Sequence, residues 1–444
     1  MQQPTDSFSL FCFNLKPVGD IIMTDKMNTL VKVLLLEFAV NVVAQNYNHY
    51  WLLDTKIPQN RFLLKRLFKN NEYALMNFTE RATKYGFHSE IHTVVTEDGY
   101  ILKMFRLIQP KCEELKKPPV LMNHGAFLNA MSWIDNPPDT SLAYLIADSC
   151  YDLWLGNTRG TEFSRRHVTL DPRTDPDYWQ FSWHEMGVYD LPRLVDHILE
   201  ITGSEKVNYI GHSQGAAEFF VLTSLKPDYM KKFGVSVALA PATFMKHTNS
   251  LLFLIFYSIR HILYRLRFYE ALQMDSRFVN FLTSICGTQS PISSLCAEVF
   301  FKIDGPHEDS ITQDTFETLI AHTPDSISLK SVYHFSQSSS IINRFRQFDY
   351  GERINRVVYD EDEPPDYNFS SITTPVAIVY GNNDRVVNST DVETLRSKLK
   401  NVINFHCVDN PKWNHIDFLW SKYIPDLLYP KIKEYLSEYS FSSV

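Results

Sequence analysis

The pentapeptide Gly211-His-Ser213-Gln-Gly215 directly follows an apolar run, Val207-Asn-Tyr-Ile210, and opens the stretch Ala216-Ala-Glu-Phe-Phe-Val-Leu. A serine hydroxyl is a weak nucleophile. It attacks a carbonyl only when it is exposed, aligned with a base and close to donors that hold the developing oxyanion. A sharp turn from strand to helix meets all three needs. Glycines at 211 and 215 remove side chains that would collide there, and the helix amino terminus supplies aligned N–H groups. The pentapeptide alone is common by chance, so its place between strand and helix is what makes Ser213 a candidate nucleophile.

A base and its orienting acid are expected later in the chain, in the order Ser, Asp, His. Tyr380-Gly-Asn-Asn-Asp384 follows the apolar run Val376 to Tyr380, which places Asp384 at the carboxyl edge of a sheet, where sites form in open α/β folds. Asp391 and Asp409 are rival carboxylates, and capping of the next turn is the bland role for Asp384. His415, in Trp413-Asn-His415-Ile-Asp-Phe-Leu-Trp420, stands after the last strand and is the candidate base; His406 and His322 are weaker rivals. The oxyanion hole calls for the N–H after the nucleophile, that of Gln214, and one from the loop after the third strand. Met122-Asn-His124-Gly125-Ala126 supplies it, with Gly125 permitting close approach and Ala126 as the second donor. His124 has no second metal ligand at a useful spacing, so no metal is expected.

These residues need an α/β framework. A β-hairpin is predicted across His92 to Ile108, turning at Asp98-Gly99. Short apolar strands follow at Val120 to Asn123, Cys150 to Leu155, Val207 to Ile210, Val235 to Leu239, Val376 to Tyr380 and Val402 to Cys407. Helices are expected at Leu191 to Ile201, Ala216 to Leu225 and Asp391 to Lys400, and the alternation implies a mostly parallel sheet. From Thr243 to Asn368 no strand pair is visible; the segment reads as a helical insertion after the sixth strand. Its aromatic first half, Ser250 to Leu282, either buries its own core or caps an apolar substrate. The division is then 77–242 with 369–444 as core, 243–368 as cap and lid, and 45–76 as a lead-in.

The chain has 444 residues, 44% hydrophobic and 14% aromatic, with a formal charge of −8. A large core is affordable, and the absence of a long basic run argues against a nucleic-acid partner, the stretch Arg61 to Lys69 being read as a solvated helix face. Among six cysteines only Cys286 and Cys296 sit close together, and they are read as a disulfide rather than as buried thiols. Asn77-Phe-Thr, Asn368-Phe-Ser and Asn388-Ser-Thr are candidate glycosylation sequons. Residues 27–44 read as a signal peptide cleaved after Ala44, although Glu37 interrupts its apolar run and residues 1–26 precede it. The run is too short to span a bilayer, and a buried amphipathic helix is the alternative. The expected location is extracellular, or the lysosomal or endomembrane lumen.

From about Asn77 onward the motifs resemble the acid lipases, the family of gastric and lysosomal acid lipases and many insect digestive lipases. The resemblance is carried by Val94-Val-Thr-Glu-Asp-Gly-Tyr-Ile-Leu102, Asn123-His-Gly125, Asp152-Leu-Trp-Leu-Gly-Asn-Thr-Arg-Gly160, Ser182-Trp-His-Glu-Met-Gly187, Tyr189-Asp-Leu-Pro192, the Gly211 elbow, Gly381-Asn-Asn-Asp384 and Asn414-His-Ile-Asp-Phe418. It implies an α/β-hydrolase fold, a Ser213–His415–Asp384 triad, oxyanion donors at Gln214 and Ala126, a helical cap with a disulfide like Cys286–Cys296, and no cofactor. Ala126, Thr158 and Arg385-Val-Val depart from the family pattern and bear on substrate preference. Neutral lipids, triacylglycerol first, are the implied substrates. Steryl or short-chain esters are alternatives, as is a non-catalytic lipid-binding protein on the same fold.

Overall fold

The computed structural model describes residues 72–112, 117–250, 253–254, 268–271, 304–339 and 343–439. Strands β1 (His88–Val95) and β2 (Ile101–Ile108) form the expected hairpin, with Gly99 at φ +93° in its turn, a conformation that glycine adopts without strain. Then come β3 (Lys117–Asn123), β4 (Tyr151–Leu155), β5 (Val207–His212) and β6 (Phe233–Leu239). A two-residue pair, β7 (Glu270–Ala271) with β8 (Ile327–Ser328), precedes β9 (Val376–Tyr380) and β10 (Val402–Cys407). Eight of these strands build one sheet in the order β1-β2-β4-β3-β5-β6-β9-β10, antiparallel at β1/β2 and β2/β4 and parallel beyond. This is the arrangement of an α/β hydrolase.

The continuous apolar runs have a plain cause: the central strands are covered on both faces, so neither face is left to be polar. Val120 and Met122 enter one hydrophobic layer while Leu121 enters the other, and Val237 and Ala238 divide the same way. Helices α1 (Phe78–Lys84) and α2 (Leu142–Asp148) contribute to the first layer, α3 (Leu191–Thr202) and α4 (Gln214–Leu225) to the second. Within the predicted insertion lie α5 (Gln313–Ile320) and α6 (Leu329–Ser338). Beyond it, α7 (Ser389–Lys398) begins two residues before the predicted start, and α8 (Tyr429–Glu438) returns to the first layer.

One expectation needs correction, and one cysteine pairing is new. The segment after β6 does contain a strand pair, β7 with β8, but two residues on each side are too few to leave a periodic signal in the sequence. A disulfide joins Cys112 to Cys150, a pairing without a signal in the sequence, the two cysteines standing 38 positions apart. The antiparallel β2/β4 pair closes that gap: Leu107 faces Leu153, so the chain leaving β2 meets the chain entering β4 and the two Cα atoms stand 5.1 Å apart. Cys286 and Cys296 lie outside the described residues, as do the signal-peptide reading over 27–44 and most of the lead-in.

Candidate active site

Ser213 links β5 to α4 at φ +54° and ψ −113°, a conformation strained for a residue with a side chain. Its neighbours explain how the turn survives. A Cβ on Gly211 would stand 2.6 Å from the Ala216 nitrogen, and one on Gly215 would stand 2.6 Å from the Asn123 carbonyl oxygen. Only glycine lets the elbow close this tightly against the end of β3. Backbone bonds hold it: Ser213 N–H donates to the Leu239 carbonyl at 2.9 Å, and the Ser213 carbonyl accepts from Ala217 and Ala242 at 3.2 Å.

Loops at the carboxyl ends of β9 and β10 bring the other two residues to the serine. His415 Nε2 lies 2.9 Å from Ser213 Oγ, and His415 Nδ1 lies 2.8 Å from Asp384 Oδ2. The second carboxylate oxygen of Asp384 accepts from the Val386 and Val387 N–H groups, each at 2.8 Å, so Arg385-Val-Val fixes the acid. Ser213, Asp384 and His415 are all buried. Burial of the imidazole disfavours its cation, but the Asp384 charge and hydrogen bond outweigh this, with a smaller push from Asp304, and His415 is raised above its ordinary value. The tautomer that donates from Nδ1 to Asp384 leaves Nε2 free to accept the serine proton.

Several polar residues hold this geometry and were not singled out in the sequence for it. His212, inside the elbow, meets the His415 carbonyl oxygen through Nε2 at 3.0 Å; burial drives its imidazole well below its usual value, so it is a neutral donor there. Asn414 Nδ2 donates to the Gly305 carbonyl at 2.7 Å, Asn383 Nδ2 to the Pro306 carbonyl at 2.8 Å, and His307 pairs with Asp417 at 2.7 Å. The acid loop and the base loop are thereby tied to one short segment, 305–307. Buried histidines and amides look alike in sequence whatever they bond, so no signal marked these roles.

On the oxyanion side, a Cβ on Gly125 would stand 3.1 Å from Ser213 Cβ, which puts the loop backbone against the nucleophile and the Ala126 N–H one residue further on. His124 engages the backbone with both ring nitrogens: Nδ1–H donates to the Gly125 carbonyl at 2.9 Å, and Nε2 accepts from Thr158 N–H at 3.3 Å. Burial pushes its imidazole down to about 4, consistent with that neutral role. Behind the loop, Glu218 on α4 meets the Gln214 amide at 3.0 Å and the Asn123 amide at 2.6 Å. Among the described residues no group of three His, Cys, Asp or Glu side chains is placed to hold a metal.

Two of the rival residues have other partners. Asp391 binds His247 Nδ1 at 2.8 Å, and His322 lies 3.3 Å from the Arg81 guanidinium. Asn77 and Asn368 are exposed and Asn388 is half-buried; Asn77 and Asn388 also cap α1 and α7 through their side chains.

A family model for the alpha/beta hydrolase fold matches residues 118–422, and one for a partial alpha/beta-hydrolase lipase region matches residues 78–137. Lipase 1 of Drosophila melanogaster is 35% identical over 386 residues, 87% of this chain and 84% of that protein. The chain belongs to the acid lipase family of α/β hydrolases. Further similar proteins include the gastric triacylglycerol lipase of Bos taurus, 34% identical over 88% of this chain and 99% of that one, and human lipase member K, 32% identical over 83% and 92%. A solved structure from Sulfolobus solfataricus aligns with 80% of this chain and 95% of its own at a TM-score of 0.54 and 12% identity, a likeness of fold alone.

Proposed function

We propose that this acid-lipase family member hydrolyses carboxylic esters of neutral lipids, triacylglycerol first, through an acyl-enzyme on Ser213. The observation that carries the reading is the unbroken chain of contacts from Ser213 Oγ through His415 to Asp384, at 2.9 and 2.8 Å. His415 takes the hydroxyl proton as Oγ attacks the ester carbonyl. Asp384 keeps the imidazole in the productive tautomer and stabilises its cation. The Gln214 and Ala126 N–H groups receive the oxyanion. His415 then returns the proton to the departing alcohol, and water, activated by the same imidazole, releases the fatty acid. This chemistry needs no metal or cofactor.

The names of its relatives, gastric triacylglycerol lipase among them, favour a triacylglycerol substrate met at a lipid–water interface. The Cys112–Cys150 bond and the exposed sequons at Asn77 and Asn368 favour secretion or a lumenal compartment, where disulfides persist. Among the described residues no helix is long and apolar enough to cross a membrane. Hydrolysis of trioleoylglycerol, a cholesteryl ester and a short-chain ester, measured side by side on protein beginning at Gln45, tests the reading. Fastest turnover on emulsified trioleoylglycerol is expected. Turnover confined to the soluble ester would replace the lipase reading by a carboxylesterase, and turnover of none would leave a lipid-binding protein.

A further inference from the structure

Glu218 lies one turn after Gln214 on α4, has no exposed surface and takes no part in the proton relay. A carboxyl group inside a protein is costly unless its oxygens are partnered. Both are: Oε1 is 3.0 Å from Gln214 Nε2 and Oε2 is 2.6 Å from the Asn123 side-chain amide. These partners belong to the two segments that carry the oxyanion donors. Gln214 bears one donor itself, and Asn123 ends β3 three residues before Ala126. The same two segments touch through their backbones, since a Cβ on Gly215 would stand 2.6 Å from the Asn123 carbonyl oxygen and 2.8 Å from that of His124.

We propose that Glu218 is a positioning residue of the oxyanion hole, bracing the loop between β3 and Ala126 against the first turn of α4. The inference rests on the ester-hydrolase reading above. It gives the carboxyl a role that packing does not require, because the neighbouring buried positions of α4, Ala216, Ala217, Phe219, Phe220 and Val221, already supply its apolar contacts.

Its surroundings favour the neutral acid. Burial, and then the Asp190 carboxylate, hold Glu218 well above the usual range, against the opposing pull of the Gln214 and Asn123 amides and the Arg159 guanidinium. Arg159 is already matched by two carboxylates, Asp190 at 2.6 Å and Asp98 at 2.6 Å, so a third negative charge there has no counterpart. Tyr209, facing from β5, spends its hydroxyl proton on the Gly215 carbonyl at 2.6 Å. A separation of 2.6 Å is usual for O–H···O and short for N–H···O. Asn123 Nδ2 donates to Glu218 Oε2, and Asn123 Oδ1 has no hydrogen-bond partner of its own, so a half-turn of the amide would offer that oxygen to a protonated Glu218. A neutral group also places no negative charge behind the point where an oxyanion develops.

The test compares Glu218→Leu with Glu218→Gln in the full chain, reading kcat and KM on a soluble p-nitrophenyl ester per active site titrated with a fluorophosphonate, together with the melting temperature. Glu218→Leu is expected to lower kcat about 10- to 100-fold at unchanged KM, the signature of weakened oxyanion donors. Glu218→Gln keeps one accepting oxygen and one donating nitrogen, and is expected within about threefold of the parent. If Glu218→Leu does not fold, Glu218→Ala, which leaves room for water, provides the same reading. Parental kcat in the Leu or Ala variant, however far its melting point falls, overturns the proposal, as does a Gln variant as slow as the Leu variant. A parent enzyme that turns over no ester would instead strike the hydrolase reading itself.

Discussion

Under the proposed mechanism His415 must be neutral to accept the Ser213 proton, yet Asp384 favours its cation. The raised value sets the sign: kcat/KM falls as pH drops through it, so the acidic limb of the free enzyme is expected above about 6.5, the ordinary imidazole value. Replacing Asp384 by Ala removes the dominant raising influence. That limb should then move to lower pH while kcat falls by about 10⁴, the size typical of a lost triad orienter, and a pH profile on a soluble ester reads both. Stability follows the same sign, since the imidazolium–carboxylate pair contributes fully below the unfolded value near 6.5 and is lost as pH rises through the higher folded value. At this scale the contact between Ser213, His415 and Asp384 was legible because the chemistry proposed for them dictates residue type and chain order. The braces His212, His124 and Glu218 were not, because their roles depend on partners that are remote in sequence.

At the scale of elements, the elbow is a joint between β5, α4 and the end of β3, and Gly215 is the point at which α4 meets β3. A methyl group at 215 would meet two backbone carbonyl oxygens below 3 Å, atoms that cannot swing aside. Gly215→Ala is expected to cost about 1–3 kcal/mol of stability and to lower kcat more than tenfold by pushing the Ala126 loop from the oxyanion. Thermal melting and turnover per titrated site check both effects. The strands and α3, α4 and α7 were legible to within a few residues, because doubly covered strands leave uninterrupted apolar runs and helices interrupt them. The β7/β8 pair was not; two residues carry no period.

At the scale of the whole molecule, Cys112–Cys150 closes a stretch of 38 residues that contains β3, the Ala126 loop and α2. Cross-linking so long a stretch is worth about 4 kcal/mol by the chain-entropy estimate. The Cys112→Ser, Cys150→Ser double variant should melt well below the parent, and reductant should lower the parent's melting point by more than the variant's. Nothing in the sequence paired these cysteines, because proximity across an antiparallel strand pair depends on register, which appears only once the sheet is assembled. The sequons make a further whole-molecule expectation: protein made in glycosylating cells should lose mass on amidase treatment, with Asn77 and Asn368, the exposed pair, modified.

The central claim is that Ser213 forms the acyl-enzyme, and mapping covalent phosphonylation tests it most directly. Protein treated with a fluorophosphonate and digested should carry a single adduct on the peptide containing Ser213, with ester hydrolysis lost in proportion. Ser213→Ala should show neither adduct nor hydrolysis. An adduct on another residue, or hydrolysis retained by Ser213→Ala at the parental rate, would contradict it.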